Sequence, residues 1–564
     1  MGTPRRSLSA ALPALLVFGV VAVPVAAGLV GTLLPAFGLL PAIGAERLSL
    51  DPWRRLLAEP GLVRAALLSV STGLGATLLS LLLVALFCAG AQGTRAFARA
   101  QAFAAPVLAT PHAALAVGVL FLIAPSGLLL RLVSPWATGL HVPPDIATVN
   151  DPWGLALLLG LVLKETPYLL LMMLAALNQI PAARLMAVAA SLGQPKPVAW
   201  LKAVFPLAYR QIRLPVFAVL AYSVGTVDVA LILGPTTPPT LAPLLLRWAT
   251  SPDLSLLPPA SAGAVLLLGL ALAAVGAWIA AERVAARIGR RWAASGRRGG
   301  AWALGLGAAL LPAALLLAYC ALAALLLWSI AGPWRFPDAL PESVHPGTWA
   351  GQAGALAMPA ANSLLVALGA TAVALLLAVA ALEARARHGA AALHWLLALT
   401  PLPLLLPQAG FLLGLQTALL GFGLDGGLVP VMLAHLVFVL PYVLLSLAGP
   451  YAALDPRLAR VGACLGASPR RVFLAVKLPV LLRPLAVAAA VGVSVSIAQY
   501  LATLLAGGGR VATLTTEAVA LAAGGDRRVL GVFAVAQAAI PLAAFGLALL
   551  LPALLWRDRA GLRA

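Results

Sequence analysis

Residues 184–206 read RLMAVAASLGQPKPVAWLKAVFP, and residues 457–479 read RLARVGACLGASPRRVFLAVKLP. Each stretch begins with a short run whose apolar residues fall at helical spacing. Leu-Gly follows, then a basic amphipathic run that ends at a proline thirteen residues after the glycine. Gly193 and Gly466 stand where the first helix stops and the chain reverses, a position suited to left-handed dihedrals. Pro195, Pro197 and Pro469 keep that helix from continuing. A single stretch of this kind reads as an amphipathic helix lying on lipid headgroups. Two copies with equal spacing favour a helix that docks another protein.

The register extends well beyond these loops. With an offset of 273 residues, 184–257 lies on 457–530 without a gap. Arg184 meets Arg457, Val188 meets Val461, and Leu192-Gly193 meets Leu465-Gly466. Pro206 meets Pro479, Ser223 meets Ser496, Thr240-Leu241 meets Thr513-Leu514, and Asp253 meets Asp526. Upstream, Pro167-Tyr168 matches Pro441-Tyr442 after a slip of one residue. Chance supplies matching leucines easily, but not glycines, prolines, arginines and an aspartate in one register. The chain therefore divides into a first repeat (1–282), a basic linker (283–300) and a second repeat (301–564).

Hydrophobic residues make up 62% of the 564 residues and charged residues 10%, with a mean hydropathy of +1.03. Soluble domains carry roughly a quarter charged residues, so this composition predicts a polytopic membrane protein. Runs of about 20 apolar residues, the length that crosses a bilayer, lie near 13–34, 63–88, 105–131, 153–177, 213–234 and 260–281. Six more lie near 303–329, 361–382, 392–419, 429–449, 485–507 and 530–555. The expected fold is an all-α integral membrane protein of about twelve transmembrane helices in two parallel six-helix repeats.

The charges orient it. Placing the N-terminus inside gathers 26 of the 37 basic residues on one face, against four acids, Glu282, Glu383, Asp455 and Asp558. Arg5, Arg6, Arg557, Arg559 and Arg563 belong to this face, so both termini are expected in the cytoplasm. The net charge of +20 sits in clusters between spans rather than in a stripe interleaved with aromatics, which argues against nucleic acid as a partner. Cys88, Cys320 and Cys464 have no pairing or metal spacing and read as small buried hydrophobes. The six histidines form no ligand set. The four lysines, Lys164, Lys196, Lys202 and Lys477, never follow glycine, so the phosphate-cradling GxxxxGK[ST] loop is absent and the chain is expected to be neither an ATPase nor another enzyme.

Ionisable residues inside a membrane cost about 2.5–3.5 kcal/mol each on insertion scales, so each asks for a reason. Lys164 and Glu165 fall in the fourth span and Asp228 in the fifth; His435, Gln499 and Tyr500 are the nearest second-half equivalents. Helical neighbours point about 100° apart, so Lys164 and Glu165 face different partners. Lys164, Glu165, Asp228, His435 and Gln499 are the candidates for a translocation path; Asp228 could instead pair with Lys164, which makes Glu165 and Gln499 the better of them.

The paired loops resemble the EAA loop of binding-protein-dependent ABC importer permeases, whose pattern ends in a glycine followed thirteen residues later by a proline. The resemblance covers about 62–282 and 358–556, including Asn362-Ser363-Leu364 and the stretch VFVLPYVLLSL ending at Leu447. The duplicated form is similar to the fused permeases of ferric-iron and thiamine importers, and DVALILGPTTPPTLA (228–242) resembles most a branch linked to thiamine-type uptake. The resemblance implies a channel that binds no cofactor itself. It implies two copies of an ATPase subunit carrying ATP and Mg, and an extracytoplasmic binding protein that delivers a small solute. Arg184, Val188, Leu192, Gly193 and Pro206, with Arg457, Val461, Leu465, Gly466 and Pro479, would form the coupling loops; the two arginines serve equally well as positive-inside anchors. The family's glutamate is missing, since its positions hold Ala187 and Arg460. A self-sufficient twelve-helix secondary transporter is the alternative.

Overall fold

The computed structural model describes residues 8–388, 397–424 and 426–555. Arg5, Arg6, Arg557, Arg559, Arg563, His394 and the start of the expected span 392–419 lie outside the described residues. In chain order the principal helices are α1 (Leu8–Ala36), α2 (Leu62–Ala91), α3 (Arg95–Ala109), α4 (His112–Ile123) and α5 (Leu155–Leu177). Next come α6 (Ala182–Ser191), α7 (Phe205–Val224), α8 (Asp228–Leu233), α9 (Leu241–Ala249) and α10 (Leu257–Ala294). The second half supplies α11 (Leu310–Ile330), α12 (Gly347–His388), α13 (Ala409–Gly421), α14 (Leu428–Ala452) and α15 (Pro456–Cys464). It ends with α16 (Leu478–Ile497), α17 (Leu501–Ala506), α18 (Leu514–Ala522) and α19 (Arg527–Leu555). Among the described residues eleven helical stretches are long and apolar enough to cross a bilayer, and the pair Leu397–Leu405 and Ala409–Gly421, bent by 104°, brings the number to twelve if it counts as one broken span. In lipid the backbone must satisfy its own hydrogen bonds, so such apolar runs become helices despite their internal prolines.

The bounds of α7, α8 and α9 recur 273 residues later in α16, α17 and α18. Local hydrogen bonds recur with them. The Leu241 amide donates to Ser69 Oγ and the Leu514 amide to Ser363 Oγ, both at 2.9 Å. Asp253 accepts from the Ser255 amide at 2.9 Å and Asp526 from the Arg528 amide at 2.8 Å, so the aligned aspartates both cap the start of a helix. The side-chain hydrogen bond from Arg528 also draws the Asp526 carboxyl below its ordinary range.

The two halves interlock. The first helix crosses to the second half, where α1 packs on α13 so closely that the Gly414 amide donates to Thr32 Oγ1 at 3.1 Å. A Cβ on Gly414 would lie 2.0 Å from the Gly28 carbonyl oxygen, a backbone approach that only small residues allow. In return α11 packs on α4 in the first half. Arg131, nearly fully buried, fastens this seam by donating to the carbonyls of Ser126 (2.9 Å) and Arg335 (2.6 Å).

Four expectations need correction. The fifth spans are not 213–234 and 485–507: the helices cover Lys196–Val224 and Pro469–Ile497 and then break, so Asp228 opens the new helix α8. Apolar composition runs on through the break and hides it. The first break sits at Gly225, where Pro407 of the second half packs 2.8 Å from any added Cβ. The third span, expected at 105–131, is split into α3 and α4 at Thr110-Pro111. The linker is shorter than 283–300, because α10 continues to Ala294 through a stretch with no proline to stop it. Cys464 is exposed on α15 rather than buried; Cys88 alone is fully buried.

Candidate functional site

The paired loops are built alike. Both α6 and α15 end in a leucine, after which Gly193 (φ 70°) and Gly466 (φ 76°) take the left-handed conformation. The turn is a Schellman motif in each copy. The Gly193 and Gln194 amides donate to Ala190 and Ala189, and the Gly466 and Ala467 amides to Ala463 and Gly462. Seven residues on, each chain widens into one π-helical turn, Trp200–Val204 and Phe473–Lys477. Pro206 and Pro479 follow in the first turn of α7 and α16. Proline clashes with the carbonyl four residues back and donates no hydrogen bond, and the wide turn before it accommodates both effects.

One face of each loop helix is pinned and the other is open. Ala189 and Gly462 are buried, whereas Arg184, Ala187, Arg457 and Arg460 are exposed. Two apolar side chains stand out on each copy: Val188 and Leu192 are 60% and 64% exposed, Val461 and Leu465 58% and 81%. The two side chains stand four residues apart in each copy. Two acids of the basic face staple the helices beyond the loops. Glu282 accepts from Arg213 at 2.8 Å and from Tyr209; Glu383 accepts from Lys477 at 2.8 Å and from Tyr451. The linker reaches the first loop, where Arg298 donates to the Leu192 carbonyl at 2.9 Å and Lys202 to the Arg297 carbonyl at 2.6 Å.

The polar centre lies between the halves. Lys164 Nζ donates to the carbonyls of Leu108 (2.7 Å), Val107 (3.3 Å) and Thr110. These are the open C-terminal carbonyls of α3, and an ammonium both satisfies them and complements the helix dipole. That is why a lysine only 5% exposed is tolerated here. The expected Lys164–Asp228 ion pair does not form among the described residues. Glu165 turns the other way, its Oε1 lying 3.3 Å from His112 Nε2. The His112 ring leans on Tyr222, with centroids 4.7 Å apart, and the Tyr222 hydroxyl reaches Asp228 at 3.4 Å. Tyr168 stands three positions after Glu165 on α5, and Tyr442, its repeat counterpart, and Tyr500 are likewise half-buried.

His435 and Gln499 line one small polar cavity in the second half. The His435 Nδ1 lies 2.7 Å from Ser496 Oγ and its Nε2 2.8 Å from Thr503 Oγ1. The Thr503 hydroxyl donates to the Gln499 carbonyl at 2.6 Å, so its oxygen accepts from Nε2–H and Nδ1 accepts from Ser496. Both nitrogens join α14 to α16 and α17. Gln499 lies in the break before α17 and accepts from Gln408 at 3.4 Å.

No protein-family model matches the chain. It is 34% identical over 539 residues, 93% of this chain and 96% of the other, to the inner membrane ABC transporter permease protein YnjC of Escherichia coli (strain K12). The chain belongs to the ABC transporter permeases. It is accordingly a multi-pass component of an inner membrane that associates with an ATPase.

For this permease, sequence reasoning marked Glu165 and Asp228 one by one as possible path residues but gave no sign that His112 and Tyr222 stand between them. Lys164 belongs to the scaffold of the centre. Its replacement by methionine is expected to cost about 1–3 kcal/mol, because three buried carbonyls lose their donor. Thermal unfolding of the solubilised permease would then fall by several degrees; an unchanged midpoint would refute the capping role.

Proposed function

We propose that this permease is the whole translocation channel of an ATP-driven importer, its two halves arising from two parallel six-helix repeats. In this reading both termini and both loops face the cytoplasm, and one copy of the ATPase sits under each loop. The ATPase holds ATP and Mg, while the permease binds no cofactor. An extracytoplasmic binding protein supplies the solute, a thiamine-like cation ahead of ferric iron. The observation that carries the reading is the pair of loops with the same turn, the same π-helical widening and the same exposed apolar pair. A self-sufficient secondary transporter would have no use for two such surfaces.

Cys464 tests this directly, being exposed on the second loop helix. In a Cys320→Ala background, a membrane-impermeant maleimide is expected to label Cys464 only from the cytoplasmic side, and bound ATPase is expected to shield it. Labelling from outside would overturn the orientation. Full labelling in a complex that retains its ATPase would remove the second loop as a docking site.

A further inference from the structure

Glu165 and Asp228 are only 5% and 7% exposed. Glu165 bonds His112 and makes no other side-chain hydrogen bond among the described residues. Asp228 is reached by Tyr222 and Thr226 at a long 3.4 Å each, and among the described residues no ion pair touches it. Lys164, the neighbouring cation, is committed to the carbonyls of α3. Two buried carboxyl groups thus share one centre with one committed lysine and one histidine, and a second negative charge there is costly unless a cation arrives.

Aromatic rings stand between them. The His112 ring beside Glu165 leans on the Tyr222 ring, whose hydroxyl reaches Asp228, and Tyr222 is half-buried, so part of its surface stays open. Ring faces attract organic cations, most strongly where water is excluded. Offset by 273 or 274 residues, the acids correspond to Phe438 or Val439 and to Leu501, so the second half has no matching pair. Among the described residues no three His, Cys, Asp or Glu side chains are grouped to hold a metal ion. The chemistry present suits a bulky organic cation better than a chelated metal.

We infer that Glu165 and Asp228, with His112 and Tyr222 between them, form a single transit site for an aromatic or quaternary organic cation on the seam where α8 packs on α18. The inference rests on the reading of this chain as a translocation channel and names the class of solute it passes.

The test uses the full-length permease in lipid nanodiscs, with neither ATPase nor binding protein. Thiamine and benzyltrimethylammonium are the cationic probes, and benzyl alcohol the uncharged aromatic control; binding is followed by displacement of labelled thiamine. Both cations are expected to bind saturably and the alcohol not at all. Glu165→Gln and Asp228→Asn, close in shape to the native side chains, should each weaken binding by about tenfold or more, from the loss of one nearby charge. Tyr222→Phe, which keeps the ring, should weaken it less. The unliganded melting temperature shows which variants are folded, and either folded acid variant alone decides. Absence of binding, equal binding of benzyl alcohol, or unchanged affinity in a folded acid variant would overturn the site. ATP-driven uptake in proteoliposomes separates the two readings. Uptake without cation binding sinks the transit site and keeps the importer; cation binding without ATP dependence does the reverse.

Discussion

Aspartate in place of Leu465, made together with Leu192→Asp, is expected to release the ATPase and abolish transport. Leu465 is 81% exposed and Leu192 64%, so neither change touches the packed interior, and the permease should accumulate normally. Burying a leucine in a partner's groove contributes about 1.5–3 kcal/mol, and a carboxylate in its place must also be desolvated. A loss of about 3 kcal/mol per loop weakens docking by roughly a hundredfold. The measurement is the amount of ATPase that co-purifies with the permease, with transport measured in parallel. Each single variant should retain part of the ATPase, because the other loop remains. If the double variant still carries a full complement, the loops lie on lipid and the docking surface is elsewhere.

Valine at Gly466 should act differently, uncoupling hydrolysis from transport while leaving ATPase bound. The residue sits at φ 76° with no atom near the position of a Cβ, so the strain comes from the backbone alone. A β-branched residue in that region costs about 1–3 kcal/mol, which the loop relieves by re-aiming α15. Asparagine, which tolerates the left-handed region, should restore most coupling. At Gly193 a Cβ would also meet the Arg298 guanidinium at 3.0 Å, so Gly193→Val should disturb the linker as well and be the more severe. ATPase stimulation and solute uptake in proteoliposomes report both arms. Normal coupling in both valine variants would refute a mechanical role for the turns.

The asymmetry of the two loops shows where sequence reading stops. Their matched residues predict matched helices, and α6 and α15 are matched. Nothing in the register says that Arg298 would close on the Leu192 carbonyl, because that contact spans 106 residues. The same holds for Lys164. Its spacing from Glu165 showed that the two must diverge, yet its partners lie 54 to 57 residues upstream, at a helix end that the apolar run conceals.

Composition, the spacing of apolar runs and the glycine-to-proline distance were enough to determine a helical membrane protein of about twelve spans with two like loops. Those features are local: a bilayer demands about 20 apolar residues per crossing, and a left-handed turn demands glycine wherever it occurs. Tertiary packing decided the rest. It broke the fifth spans, tied His435 to Ser496 and Thr503, and exchanged the first helices between halves. It also set His112 and Tyr222 between Glu165 and Asp228. In an apolar chain, side chains of one kind can pack in many ways, so the choice falls to the few polar atoms that must find partners across the fold.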